Sequence, residues 1–447
     1  MSSELLAPLD LAFWHLESAE HPMHLGALAV FEAAPDASDE QTLDLLAARA
    51  AAIPRLRMCV RGVWLPLGGA AWSEDRQFDV RRHVRLVGLP GGDFATEVNR
   101  LAGELMERPL RRGRPPWEMY VLTGAGAGRF AVLVKLHHAL ADGMRAVAIG
   151  AGIFDQIADD RTAGDRRVRS VPPRSWLPGP HQVAGFARER IEEFGQAVGI
   201  GASVVRASRL DLWGGSVLAA HSSGTRQLAT AVLDQKTVLS IRRRAGGTAN
   251  DVLLAVVAGG LRRWMLERGE QLPSADPRAL VPVSRRRPGA PQGSGNTLSA
   301  YLLGLPVAEP DPWRRLGAVR CAMDRNKAAG PLRGAGAVAV LADRLPPLAH
   351  RFGAQLAGNA ARMLFDVLVT SVPLPRSTLS LGGSPLREIY PMAPLARGQS
   401  LAVALSAYGG QVHVGVVVDG RAMPDAERLA ELFPVELAEL LEATNER

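Results

Sequence analysis

The chain has 447 residues, 47% hydrophobic and 22% charged. That is ordinary for a water-soluble globular protein and long enough for two or more domains, each with its own core. The formal charge of +7 comes almost wholly from arginine; such an excess suits anionic membranes, CoA phosphates or nucleic acid, and its plainest meaning is a solvated arginine-rich surface. Two cysteines, Cys59 and Cys321, are too few for a disulfide framework or a metal cluster, so a reducing, cytoplasmic setting is expected.

Taken in chain order, the start carries acids and no basic run, which does not read as a signal peptide. Leu6 to Glu17 predicts a first helix, with Pro8 and Asp10 near its start. His21 to Phe31 leads into a strand. His21 and His24 have no third ligand nearby and Pro22 lies between them, so no metal site is expected. A helix over Asp39 to Ile53, a strand over Met58 to Leu67 and a helix over Thr96 to Leu105 follow. Arg114 to Thr123 is a strand entered through two prolines. The glycine-rich run from Gly124 to Gly128 joins two strands and lacks the third glycine of a dinucleotide loop, so it reads as a hairpin turn.

The most informative stretch is Arg129 to Met144. Phe130, Val132, Val134 and Leu136 alternate with Ala131, Leu133 and Lys135, the period of a half-buried strand. His137 and His138 end it, and the alternation sends their rings to opposite faces. Asp142 is placed to cap a following helix, Met144 to Ile157, and Gly143 tolerates a sharp turn. A histidine at such a strand end has the profile of a base: an unperturbed pKa of about 6.5 leaves it mostly neutral at pH 7.

Beyond it, Asp159 to Gly215 is rich in arginine and proline and reads as a linker with one helix, Gln182 to Ala207, suited to packing on a lobe or lying on a membrane surface. The second half predicts helices over Lys236 to Gly246 and Asn250 to Leu266, the latter capped by Thr248 or Asn250. A strand over Ala279 to Val283, a Gly/Pro-rich loop to Gly295, a strand over Asn296 to Leu305 and a helix over Asp311 to Ala329 come next. Strands are expected over Leu364 to Val372, Leu386 to Ile389, Ser400 to Tyr408 and Gln411 to Val418, and a helix over Asp425 to Ala443. No apolar run reaches the roughly 18 residues that span a bilayer.

His137-His138-x-x-x-Asp142-Gly143 is the signature of acyltransferases that use CoA or carrier-bound thioesters, a superfamily that includes chloramphenicol acetyltransferase and peptide-synthetase condensation domains. Within it the chain resembles the bacterial wax ester synthase/diacylglycerol acyltransferase family. The resemblance rests on Pro8-Leu9-Asp10 with Pro22-Met23-His24; Arg114-Pro115-Pro116-Trp117; Gly247 to Val252; Val281 to Ser284 with Gly295-Asn296; and Glu388-Ile389-Tyr390-Pro391 through to Asp425. These occur in the family's order and cover nearly the whole chain.

The resemblance implies an α/β fold of two chloramphenicol acetyltransferase-like lobes with a channel between them. The first lobe would span residues 1–158, the linker 159–215 and the second lobe 216–447. His138 would be the general base, His137 a supporting residue, and Asp142 and Gly143 structural at the site. Asn250, Asp251, Trp117, Ser371 and Leu374 would bind substrate. No metal and no cofactor are implied, with acyl-CoA as co-substrate and no covalent acyl-enzyme. The acceptor would be a fatty alcohol or diacylglycerol, drawn by a cytoplasmic enzyme that touches a membrane or lipid-droplet surface; nucleic acid is not an expected partner. Two departures bear on the acceptor side. Ser371 and Leu374 stand where the family commonly has Asn and Gly in a Thr-Asn-Val-Pro-Gly-Pro loop, and Pro116 replaces the Leu of a Pro-Leu-Trp motif. The same chemistry on a specialised-metabolite acceptor, or a non-catalytic acyl-lipid binder, are the alternatives; an intact histidine pair argues against the binder, which has no need of a base.

Overall fold

The computed structural model describes residues 4–64, 68–124, 128–157, 218, 222–284, 298–329 and 364–447. The linker expected over 159–215, its helix, and the loop running to Gly295 lie outside these.

The first half runs β1 (Glu4–Leu5), α1 (Pro8–Leu16), β2 (His24–Glu32), α2 (Asp39–Ala52), β3 (Met58–Gly62) and β4 (Ala70–Glu74). It continues through β5 (Val84–Gly88), α3 (Phe94–Glu107), β6 (Trp117–Thr123), β7 (Arg129–His137), α4 (Gly143–Ile153) and β8 (Asp155–Ile157). The second half holds β9 (Gln227–Asp234), α5 (Gln235–Ala245), α6 (Ala249–Glu267), β10 (Arg278–Ser284), β11 (Leu298–Gly304) and α7 (Pro312–Ala329). It closes with β12 (Val367–Val372), β13 (Thr378–Leu381), β14 (Ser384–Met392), β15 (Leu401–Tyr408), β16 (Gln411–Val418) and α8 (Ala426–Asn445).

These strands form a seven-stranded sheet, β5-β6-β7-β2-β14-β13-β8, and a six-stranded sheet, β11-β10-β12-β15-β16-β9, with a small sheet β1-β4-β3 beside the first. The two large sheets are the cores of two α/β lobes. The lobes are not contiguous in sequence, which corrects the second-lobe boundary of 216–447. The hairpin β13–β14 comes from the second half but joins the first sheet, β14 pairing with β2 and β13 with β8. A strand goes where its edge groups find partners, and β2 and β8 offer theirs to this hairpin.

Local rules account for many of the helix boundaries. Ser38 and Gln41 form a capping box at the start of α2, Asp93 caps α3, and Asp234 caps α5. Lys135 supplies a different kind of cap. Its buried Nζ donates to the carbonyl of Leu105, 2.7 Å away, and to that of Arg108, closing the C-terminal end of α3.

The strand pattern of β7 needs correction for the same reason. Its two faces alternate as expected, yet both are buried. Phe130, Val132 and Leu136 face a core shared with α2 and α4, while Ala131 and Leu133 face a second core between the lobes. That interlobe core also takes Leu228, Ala402, Ala404 and Val417 from the six-stranded sheet. The opposite face of the six-stranded sheet packs on α5, α6, α7 and α8. Each large sheet is therefore covered on both faces. Among the described residues no helix is long and apolar enough to cross a membrane.

Candidate active site

Strand β7 ends at His137, and the chain then turns through His138 to Asp142 into α4. Asp142 is the N-cap: its carboxylate accepts from the Arg145 N–H at 2.7 Å, and its carbonyl accepts from the Ala146 N–H. Asp142 thus closes the start of α4, and Gly143 opens the helix behind it.

The two histidines diverge. His137 is fully buried. Its Nδ1 accepts from the Ala139 N–H at 2.9 Å, which puts the ring proton on Nε2. Nε2 lies 3.4 Å from Oε1 of Glu17, and the same oxygen lies 3.1 Å from Nε2 of His24, the residue paired with His137 across β2 and β7. The other Glu17 oxygen takes Arg112 at 2.7 Å, and the Arg112 guanidinium lies 3.7 Å above the Trp14 ring. Burial opposes the charge on Glu17, but contacts from His137 and His24 outweigh it and hold the carboxyl well below the usual range. Burial keeps His24 neutral, its pKa pushed down to about 4. Glu17 is the site residue that sequence reasoning missed. It sits at the end of α1 with no local pattern to mark it; only the pairing of β2 with β7 brings it to the histidines.

His138 points the other way. Its N–H donates to the Met23 carbonyl at 2.8 Å, and its ring stacks on Phe13 with centroids 4.0 Å apart. Desolvation pushes its pKa down to about 4, with His137 adding in the same direction and Asp142 opposing, so the imidazole is neutral at pH 7. It forms part of the wall of a cavity of about 390 Å³ between the lobes. The first lobe contributes Leu25, Val134 and Leu136 and the small-residue face of α4, with Gly143, Ala146, Val147 and Gly150. The second contributes Pro282, Leu368, Ala404 and Ser406 and the run Thr370 to Pro375. Apart from His138 and a few hydroxyls the lining is apolar, the chemistry of a site for an acyl chain.

Of the residues expected to bind substrate, Ser371 and Leu374 line this cavity and so share it with His138. The other three do not. Trp117 is in the first-lobe core, its Nε1 donating to the Leu56 carbonyl at 2.6 Å and its ring stacked on His83. Its size and single polar handle are spent on packing. Asp251 closes a capping box at the start of α6: its Oδ2 accepts from the Thr248 N–H at 2.7 Å, and its own N–H donates to Thr248 Oγ1 at 3.2 Å. Asn250, beside it, is half-buried and also lies outside the cavity wall. Cys59 is buried in the first lobe, its thiol donating to the Ser73 carbonyl, and Cys321 is exposed on α7; neither thiol reaches the cavity.

The comparisons with known proteins agree with this geometry. The family model for the wax ester synthase/diacylglycerol acyltransferase catalytic domain matches residues 6–253, and that for the C-terminal domain of the same family matches residues 294–441. The probable diacylglycerol O-acyltransferase tgs2 of Mycobacterium tuberculosis is 30% identical over 98% of this chain and 99% of its own length. Its counterpart tgs1 is also 30% identical, over 99% of this chain and 96% of its own. Among solved structures, the wax ester synthase/diacylglycerol acyltransferase of Marinobacter aquaeolei VT8 superposes with a TM-score of 0.72 at 23% identity, covering 99% of this chain and 100% of that one. The trichothecene 15-O-acetyltransferase of Fusarium sporotrichioides shares the fold at a TM-score of 0.59 and 12% identity, covering 98% and 94%. A chain matched over residues 6–253 and 294–441 by the two domain models, with His138 at the wall of an apolar interlobe cavity, is an acyltransferase and belongs to the wax ester synthase/diacylglycerol acyltransferase family.

Proposed function

We propose that the protein moves a long-chain acyl group from acyl-CoA to the hydroxyl of a fatty alcohol or diacylglycerol, giving a wax ester or triacylglycerol. The observation that carries this is the neutral His138 imidazole at the wall of a 390 Å³ apolar cavity built by both lobes. The diacylglycerol O-acyltransferase names of the mycobacterial relatives support the acceptor class.

His138 acts as the general base. It takes the proton of the acceptor hydroxyl as that oxygen bonds to the thioester carbonyl carbon. Negative charge gathers on the carbonyl oxygen. The first-turn amides of α4, at Gly143 and Met144, have no intrahelical partner, and both residues line the cavity; they and the positive end of the helix stabilise that oxyanion. Collapse breaks the C–S bond, and the imidazolium returns its proton to the departing thiolate. The thioester is already activated, so no acyl-enzyme forms and no cofactor is needed beyond the acyl-CoA co-substrate. The apolar walls exclude water, which would otherwise compete as acceptor. The acceptor is drawn from a membrane or lipid-droplet surface.

The test is purified protein with palmitoyl-CoA and a panel of alcohols and diacylglycerols, products resolved by mass. His138→Ala removes the base and should lower turnover roughly 10²–10⁴-fold while the melting temperature holds. A variant that keeps wild-type turnover would place the base elsewhere.

A further inference from the structure

A second cavity, of about 600 Å³, opens in the first lobe among β3, β4, the turn at 80–82 and the segment before β6. It is lined by polar side chains, and the acyl-transfer chemistry makes no use of it. His83 is in its wall although only 5% of the residue is exposed. The ring is fixed between Phe78 and Trp117, with centroids 5.6 Å and 4.7 Å away. Its Nδ1 lies 2.8 Å from the Trp117 carbonyl, an acceptor only, so Nδ1 carries the proton. Nε2 is therefore a lone pair, and burial holds the ring neutral by lowering its pKa. The ring that carries this acceptor is held rigidly and belongs to the wall of the cavity.

The charges around it are unevenly spent. Of the three acids in the wall, Glu74 pairs with Arg57 at 2.6 Å, Asp75 accepts from the Gln77 N–H, and Asp79 holds the Arg81 N–H and Arg82. Arg61 and Arg114 also line the cavity, and neither has an acidic partner among the described residues. Two unspent guanidiniums call for an anion, and guanidinium geometry fits phosphate oxygens. A neutral imidazole acceptor beside them calls for a hydroxyl donor on the same ligand. We propose that this cavity binds a phosphate monoester carried on a hydroxyl-bearing sugar, the chemistry of a nucleotide's ribose phosphate. Two sources offer that group: the nucleotide end of the CoA donor, and a free nucleotide.

The probes are adenosine 3′,5′-bisphosphate, inorganic phosphate and vesicles of phosphatidylglycerol in phosphatidylcholine, titrated calorimetrically against the full chain. Saturable, salt-sensitive binding of the bisphosphate, tighter than inorganic phosphate, is expected. Arg61→Gln with Arg114→Gln should weaken it about tenfold or more, since charge-assisted hydrogen bonds are lost. Arg61 is exposed and Arg114 half-buried, and neither has an acidic partner among the described residues, so the melting temperature should hold. Kinetics then identify the source. If it is the CoA nucleotide, the double variant raises KM for palmitoyl-CoA but not for the palmitoyl thioester of N-acetylcysteamine, which has no nucleotide. If it is a free nucleotide, KM for both donors is unchanged while bisphosphate binding is lost. Turnover of the truncated thioester tests the acyl-transfer reading separately from this one. No bisphosphate binding by the wild type, binding that survives the double variant, or binding to vesicles alone would overturn the proposal.

Discussion

Glu17 holds three partners at once: His24, His137 and Arg112, at 3.1, 3.4 and 2.7 Å. Through His137 it anchors the residue before the proposed base, so it sets where the His138 ring can stand. The heptad itself was legible from the sequence. Strand alternation is enough to turn the two rings apart, and an acid before an apolar helix is enough to name Asp142 as a cap. Glu17 was not legible, because its partners arrive from β2, β7 and the segment after α3, and no local spacing records that meeting. Glu17→Gln keeps the shape and removes the charge. The folded carboxyl titrates below its ordinary value of 4.5, so its stabilisation is fully present above pH 4.5 and is lost as pH falls below it. The variant should melt lower at pH 7, with a loss of about 1–3 kcal/mol, and turnover should fall with it. The gap between wild type and variant should narrow in melts taken below pH 4.5. A gap of constant size across that range would mean that the charge is not what Glu17 contributes.

At the scale of elements, the long periodic segments read truly. The helices β-free in pattern, α2, α6, α7 and α8, appear within a few residues of where apolar spacing put them. The shortfall is in short strands. β1, β4, β5, β8, β9 and β13 were not expected, β8 taking the last residues of the helix expected over Met144 to Ile157; β9 is an edge strand whose Gln227 to Asp234 mixes alanine with few branched residues, so little in it asks for a sheet. β14 runs Ser384–Met392 rather than stopping at Ile389, because β2 offers pairing that far. The run from Thr370 to Pro375, at the end of β12 and just past it, departs from the family's loop at Ser371 and Leu374, and it lines the cavity. Leu374 in it also packs, partly buried, against the first-lobe core. Leu374→Gly should therefore do two things. It should shift preference toward bulkier acceptors by no more than the about 1–3 kcal/mol that an apolar wall can discriminate, and it should lower the melting point modestly as that packing is lost. Competition between a long-chain alcohol and a diacylglycerol in one tube reads the first; an unchanged product ratio would show that Leu374 does not meet the acceptor.

At the scale of the molecule, the seam between the lobes decides whether there is a cavity at all. The two large sheets approach closely where β16 crosses β14, and the closeness depends on an absent side chain. A Cβ on Gly415 would come within 2.0 Å of the Pro391 carbonyl oxygen, and one on Gly103 would come within 2.6 Å of the Arg226 carbonyl oxygen, where α3 meets the start of β9. Neither glycine has an unusual backbone angle, so each is there for space. In a sequence rich in glycine these two look like any others, since a contact between distant backbones leaves no local trace. The hairpin β13–β14 makes the seam matter more. It pairs in the first sheet while its neighbours β12 and β15 pair in the second, so spreading the lobes pulls on both sheets. Pro391 belongs to this hairpin and lines the cavity, as do Ala404 and Ser406 across the seam. Gly415→Ala should push them apart. Overpacking of a tight core costs about 1–3 kcal/mol, and the same displacement should lower turnover because both substrates need both walls. Gly88→Ala is the control: it also lies in a strand, and a Cβ there meets nothing within 4 Å. Thermal melts and initial rates on the two variants make the comparison. The seam account requires Gly415→Ala to lose both stability and turnover while Gly88→Ala keeps both; a Gly415→Ala protein that melts and turns over like wild type would show that the lobes yield there, and that the cavity is not held open by their contact.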